Sequence, residues 1–192
     1  MEEKMSKPKI ALLIDLGSLK VSCEGYQKLA AEIENDYEIA YVKFYSYVAK
    51  RNRDFNEFIA AKGYDAVTPV ASKKRNRLDS RQIIDGTKIA NGSSVNAVAI
   101  AYGEGDILPI VTEIKQSGKD VLEIAVEKGA YNSAFNGFIP VDVDYLREGY
   151  AAPTTKRAPK APKKVREQPK TQYAEEVRKV LSNESILARY KK

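Results

Sequence analysis

Short apolar segments alternate along the chain with segments whose apolar residues recur at helical spacing. The runs KIALLIDL and SVNAVAIAY are typical of buried strands, whereas YQKLAAEIENDY is typical of a helix. By these criteria we predict strands at 9–16, 38–48, 64–71, 94–102, 120–127 and 138–142, helices at 26–37, 54–63, 78–92 and 106–118, and a helical turn at 131–137. This alternation predicts an α/β domain with a mostly parallel sheet and helices on both faces.

Glycine and proline positions agree with the predicted helix boundaries. Gly63, Gly92 and Gly118 stand at the ends of three predicted helices, where glycine is favoured. Pro109 falls in the first turn of the helix at 106–118, where the missing backbone N–H is tolerated. The pattern therefore predicts where these elements end as well as what they are.

The composition changes after Tyr150. We interpret residues 1–150 as one folded domain, and 151–170, which contain four prolines and many basic residues, as a disordered linker. Residues 171–192 have the spacing of a short amphipathic helix. Two roles stay open for the segment 151–192: its basic residues could add non-specific affinity for nucleic acid, or it could recruit a protein partner or form a homo-oligomer contact.

The positive charge belongs to this tail. Residues 1–150 contain 20 Lys and Arg against 22 Asp and Glu, a net charge of −2. Residues 151–192 contain 12 against 4, a net charge of +8, which together give the net +6 of the chain. The isoelectric point of about 9.2 is therefore weak evidence about the partners of the domain.

The chain contains no histidine, no tryptophan and a single cysteine. The absence of histidine excludes Ser-His-Asp triads, Cys-His pairs and histidine-based zinc sites. Because one cysteine cannot form an internal disulfide, and neither a signal peptide nor a membrane span is recognisable, we expect a cytoplasmic protein. Its chemistry must depend on carboxylates, lysine, hydroxyl groups or metal ions held by oxygen.

Four acidic residues follow the predicted strands at one edge of the sheet. Asp15 closes the first strand, Asp79 opens the helix after the third, and Glu104 and Asp106 follow the strand at 94–102. Ligands of open parallel sheets bind at this carboxyl edge. Grouped carboxylates need a counter-charge, and Mg²⁺ or Mn²⁺ prefers oxygen ligands. A single Asp in such a position is more often a helix cap, a role that suits Asp79 and Asp106, but the convergence of four favours a metal site.

Three segments resemble the NYN-domain branch of the PIN-like ribonuclease superfamily, in its LabA-like form. They are ALLIDLGSL, KKRNRLDSRQIIDG and VAIAYGEGDILPIVTEIKQSGKDVLEIAV, which occur in the family's order and spacing over about residues 8–142. The resemblance implies a Rossmann-like three-layer α/β/α sandwich with a mostly parallel sheet. It also implies hydrolysis of RNA with Mg²⁺ or Mn²⁺.

The resemblance implies catalytic and metal-binding roles for four residues, namely Asp15, Asp79, Glu104 and Asp106. Asp85 matches a further acid of the family, but six residues after Asp79 is a different helical face, so it is a peripheral candidate. The chain departs from the family pattern at Ser18, Tyr102 and Glu104, where the family has Asn, Ser and Asp.

Basic residues precede and follow Asp79 and suit an RNA backbone. We predict substrate contacts from Ser18, Lys73, Lys74, Arg75, Arg77 and Arg81. The main hypothesis is a metal-dependent endoribonuclease. The alternative is a non-catalytic module that binds RNA or recruits a partner through a degenerate site. A nucleotide-binding regulator is less favoured, because no phosphate-binding glycine motif is present.

Overall fold

A computed structural model describes residues 6–69, 77–92 and 94–148 of the chain. The helices and strands in these ranges follow the predicted order. They are β1 (Lys9–Asp15), α1 (Cys23–Ile33), β2 (Glu38–Tyr45), α2 (Arg53–Lys62), β3 (Asp65–Ala66), α3 (Ser80–Gly92), β4 (Ala97–Ala101), α4 (Leu108–Gln116), β5 (Asp120–Ala125) and β6 (Gly137–Pro140), with single 3-10 turns at Asn132–Ala134 and Val143–Tyr145.

The six strands form one sheet in the order β3-β2-β1-β4-β5-β6, and every neighbouring pair is parallel. The strand order reverses direction between β1 and β4, because the chain moves outward from β1 to β3 and then crosses to β4. Ile14, next to the end of β1, pairs with Ala101 at the end of β4. The residues that follow these two strands therefore meet at the switch point, where open α/β sheets bind ligands.

The sheet is covered on both faces. Alternate residues of β1 point in opposite directions, so Leu12 joins one buried cluster with Tyr26 and Phe55, while Leu13 joins another with Ile110. Tyr26 and Phe55 come from α1 and α2, whereas Ile110 comes from α4. The predicted three-layer α/β/α sandwich is confirmed.

Several boundaries differ from the prediction for local reasons. Helix α1 begins three residues earlier than expected, because the Ser22 hydroxyl caps it by accepting a hydrogen bond from the Gly25 N–H at 2.9 Å. Of the strand predicted at 64–71, residues 70–71 lie outside the described residues, and within 64–69 the strand is limited to β3, although hydrogen bonds of Val67 continue the pairing by one residue. Gly63 ends α2 with a φ of +64°, as its predicted capping role requires.

The chain after β6 returns to α1. Leu146 pairs with Val21, and the carbonyl oxygen of Tyr145 lies so close to Gly25 that a Cβ there would be 2.0 Å from it. This contact requires glycine at position 25, since any side chain would displace the returning segment. Arg147 secures that segment by donating hydrogen bonds to the carbonyl oxygens of Val21 and Arg51.

The predicted linker at 151–170 and the predicted helix at 171–192 lie outside the described residues. In the part of the chain that the structure describes, no helix has the length and apolar character needed to cross a membrane.

Candidate functional site

Asp15 ends β1 as a fully buried carboxylate. Its Oδ1 accepts hydrogen bonds from the backbone N–H groups of Gly17 at 2.7 Å and Ser18 at 3.3 Å. Its Oδ2 is buried without a hydrogen-bond partner. Burial raises the pKa of Asp15 above its usual value, and the charge of Asp79 raises it further, against the lowering effect of the Gly17 and Ser18 N–H groups and of a hydrogen bond from the Ser46 side chain. One oxygen of Asp15 is thus bound by the protein, and the other is left without a partner.

The turn after β1 fits closely around this carboxylate. A Cβ on Gly17 would lie 3.0 Å from Asp15 Oδ1 and 3.1 Å from Ser46 Cβ. The Ser18 hydroxyl donates to the carbonyl oxygen of Asp15 at 3.1 Å and so closes the turn. Ser18 thus helps to hold Asp15 in place, and its predicted contact with substrate stays a prediction.

Asp79 precedes α3 and is 7% exposed. Its Oδ1 accepts hydrogen bonds from the Arg81 backbone N–H at 3.0 Å and from Arg81 Nε at 2.9 Å. Its Oδ2 accepts a further bond from the same guanidinium group. Burial opposes ionisation of Asp79, but the hydrogen bonds and the charge of Arg81 outweigh it and lower the pKa below its usual value. Asp79 is therefore an ionised carboxylate with an internal counter-ion.

Glu104 and Asp106 stand on an exposed turn after β4. The Glu104 carbonyl oxygen accepts a hydrogen bond from the Leu78 N–H at 2.9 Å, and Arg77 pairs with Glu104 in a parallel bridge. This pairing joins the turn to the segment that leads into Asp79. Asp106 Oδ1 accepts a hydrogen bond from the N–H of Leu108, the first residue of α4, at 3.0 Å, although the N-cap position itself is Ile107.

The structure brings Asp15 close enough to Asp79 for their charges to interact, while Glu104 and Asp106 remain in solvent. Within residues 6–69, 77–92 and 94–148, no group of three or more acidic or cysteine side chains is arranged to hold an ion. Mg²⁺ keeps several waters and is commonly held by one or two carboxylates together with substrate phosphates. The donor chemistry of Asp15 and Asp79, including one unpartnered buried oxygen, fits an ion bound in that way.

The predicted basic contacts are only partly described. Arg77 is exposed beside Glu104, and Arg81 is directed toward Asp79. The predicted contacts Lys73, Lys74 and Arg75 lie outside the described residues.

Buried polar groups lie beneath the carboxyl edge of the sheet, and the sequence did not predict them. Gln82 is 1% exposed and donates to the carbonyl oxygen of Ala101 at 2.9 Å, which fixes α3 against the end of β4. Its position three residues after Asp79 places it on the same helical face, which was an available signal.

Two further buried networks flank the edge. Asp85, the peripheral candidate, accepts a hydrogen bond from the Tyr45 hydroxyl at 2.7 Å and pairs with Lys43 at 2.9 Å. Glu123 of β5 is 1% exposed and accepts hydrogen bonds from the Tyr102 hydroxyl at 2.9 Å and from Asn132 Nδ2 at 2.6 Å. Neither network could be predicted, because each joins residues far apart in the sequence.

The all-parallel sheet, its switch point and the acids around it define a Rossmann-like α/β protein with an acidic carboxyl edge. The model of the NYN domain family matches residues 9–142, which is more than half of the chain, and the chain belongs to this family. The family has a PIN-like, nuclease-type fold, and its members are in general metal-dependent nucleases.

Comparison with individual proteins adds little to this assignment. No curated protein matches the chain. Among solved structures, the chain is similar to the crystal structure of an oxidoreductase from Thermotoga maritima, with 12% sequence identity and a TM-score of 0.34. The match covers 66% of this chain and 32% of the other, so this chain spans about a third of that protein's length.

Proposed function

We propose that this NYN-domain protein is a metal-dependent ribonuclease in which Asp15 and Asp79 hold Mg²⁺ or Mn²⁺. The observation that carries the proposal is Asp15 Oδ2, a fully buried carboxylate oxygen without a hydrogen-bond partner. Leaving such an oxygen unpaired is costly, and a divalent cation at the open edge of the sheet would offset that cost. The family assignment supports the same chemistry.

Each acidic residue has a defined part in this proposal. Asp15 is the fixed ligand, because the turn after β1 holds its other oxygen. Asp79 would supply a second, ionised carboxylate, and Glu104 and Asp106 would add acidic oxygens from the neighbouring turn. A bound divalent ion would supply an activated water and neutralise charge on the phosphodiester.

RNA is the proposed substrate. Arg77 is exposed next to Glu104 and carries a charge to the edge where the acids stand. Together with the predicted contacts at Lys73, Lys74 and Arg75, it would bind the phosphate backbone of RNA near the ion.

The test is cleavage of a mixed pool of single-stranded and structured RNA with Mg²⁺, Mn²⁺ or EDTA. Asp15→Asn keeps the oxygen that accepts the turn hydrogen bonds and removes the charge that would hold the ion. Asp36→Asn is the matched control, because Asp36 is an exposed aspartate just before β2, at the opposite edge. We expect metal-dependent cleavage by the wild type and the control, and cleavage by Asp15→Asn no greater than with EDTA. Equal cleavage by all three would refute the proposal.

A non-catalytic module that binds RNA or recruits a partner is the second candidate. It is favoured by two contacts: Arg81 already neutralises Asp79, and Asp106 already accepts a hydrogen bond from the N–H of Leu108. This candidate predicts RNA binding that persists in EDTA, no cleavage with either metal, and weaker binding after deletion of residues 151–192.

A further inference from the structure

Arg81 occupies both oxygens of one of the two acids assigned to the metal. Its Nε lies 2.9 Å from Asp79 Oδ1 and 3.2 Å from Oδ2, and its terminal nitrogen also contacts Oδ2. The Arg81 backbone N–H adds a fourth contact, at 3.0 Å from Oδ1. Planar, two-pronged pairs of this kind are the strongest that arginine forms with a carboxylate.

The guanidinium group is held from the other side as well. It donates to the carbonyl oxygen of Thr68 at 2.5 Å, so it is fixed between β3 and α3. The Arg81 side chain nevertheless remains 32% exposed, whereas that of Asp79 is 4% exposed. Arg81 is therefore the more exposed partner of the pair and lies between Asp79 and solvent.

Asp15 and Asp79 thus differ in whether their carboxylate oxygens already have hydrogen-bond partners. Asp15 has a buried oxygen with no partner, and Asp79 has both oxygens engaged by Arg81. A divalent cation held by both acids would have to compete with the guanidinium group for the Asp79 oxygens.

We propose that Arg81 is an internal counter-ion that competes with the divalent cation for Asp79 and so sets the metal affinity of the site. This role rests on the proposed function. Arg81 acts through Asp79 and is a positioning residue rather than a catalytic one. It keeps Asp79 ionised and in place when no ion is bound, and each binding event includes its displacement from Asp79.

Direct measurement of Mn²⁺ binding tests this inference without any RNA. The concentration of free Mn²⁺ is measured by electron paramagnetic resonance in titrations of the full chain. The wild type is compared with Arg81→Gln, Arg81→Lys and Arg77→Gln. Arg77→Gln removes the same charge from an exposed arginine near the site and reports the general electrostatic effect. Thermal unfolding in EDTA establishes that each variant is folded during the titration.

We expect Arg81→Gln to bind Mn²⁺ about tenfold more tightly than both the wild type and Arg77→Gln, as removal of a charged hydrogen-bond competitor implies. Arg81→Lys keeps the charge but cannot engage both oxygens with a planar fork, so its affinity should fall between those of the wild type and Arg81→Gln. If Arg81→Gln does not fold, Arg81→Lys decides the comparison alone.

Two results would overturn the inference. Arg81→Gln binding no more tightly than Arg77→Gln, or Arg81→Lys binding as the wild type does, would mean that Arg81 does not compete for Asp79. Even if the inference about Arg81 fails in this way, binding of Mn²⁺ by the wild type but not by Asp15→Asn would still support the proposed metal site. If neither the wild type nor any Arg81 variant binds Mn²⁺, the inference and the proposed metal site fail together.

Discussion

Gly105 packs directly on Leu78, so that a Cβ added to Gly105 would lie only 2.7 Å from the Cβ of Leu78. This close approach allows the Leu78 N–H to donate to the carbonyl oxygen of Glu104. The glycine between the two acids therefore joins the acidic turn after β4 to the segment that carries Asp79. The tight packing against Leu78 leaves no room for a larger residue at position 105.

Gly105→Ala should weaken this junction. The added methyl group must push Leu78 away, at a cost of about 1–3 kcal/mol in the free energy of unfolding. Urea unfolding measures the loss. Gly92→Ala is the control, because a Cβ there meets nothing within 4 Å and is expected to be neutral or stabilising by up to about 1 kcal/mol. Equal stabilities for the two variants would contradict the packing role of Gly105.

Ionisation of Asp15 should lower the free energy of unfolding of the metal-free protein as the pH rises. Because its pKa is higher in the folded state than the ordinary value of 3.8, folding favours its protonated form. The stability that this preference contributes is present at low pH and is lost as the pH rises through the folded-state pKa. In EDTA, the free energy of unfolding of Asp15→Asn minus that of the wild type should therefore be larger in a neutral buffer than in an acidic one. A stability difference that is the same in both buffers would exclude this effect.

The Tyr102 hydroxyl should contribute to stability through Glu123. Tyr102→Phe removes a hydrogen bond to a buried carboxylate, which is expected to cost about 1.5–3 kcal/mol. Tyr41→Phe removes the same kind of bond, to Asp65, at the surface and should cost less than about 1 kcal/mol. Chemical unfolding of both variants gives the comparison, and a Tyr102 variant as stable as the Tyr41 variant would argue against a structural role for the network.

Lys43 and Asp85 should be energetically coupled. Their side chains are 15% and 17% exposed, so Lys43→Met leaves a poorly solvated charge on Asp85 and should cost on the order of 3 kcal/mol. Adding Asp85→Asn removes that charge and should recover part of the loss. A double-mutant cycle by urea unfolding measures the coupling, and additive effects would show that the two residues act independently.

Much of the fold follows from local sequence patterns. Strand β4, AVAIA, is apolar and buried at every position because both of its faces are covered, and this continuous apolar pattern was sufficient to predict a buried strand. Asp15 could be placed at the carboxyl edge for a similar reason, since it directly follows five buried residues of β1. Such predictions depend only on neighbours along the chain.

The side-chain contacts of the acidic residues could not be predicted from local sequence patterns. Asp79 and Arg81 are two residues apart, yet their pairing depends on a side-chain conformation that the carbonyl oxygen of Thr68 helps to fix. The contact between Lys43 and Asp85 joins a strand to a helix on the covering layer. These contacts are set by packing across the sheet, which the sequence alone does not display.

The central position of β1 has a consequence for synthesis of the chain on the ribosome. On one side of β1, Lys9 pairs with Glu38 of β2. On the other side, Ile10 pairs with Ala97 of β4, which is synthesised much later. Until β4 emerges, the nascent chain carries a strand whose centre, IALLI, is wholly apolar and has one open edge, the kind of template that promotes wrong pairing. Contacts so distant in sequence also slow folding. The first strand of this sheet is therefore completed late, and the alignment of Asp15 with the turn after β4 must await synthesis of all the elements between them.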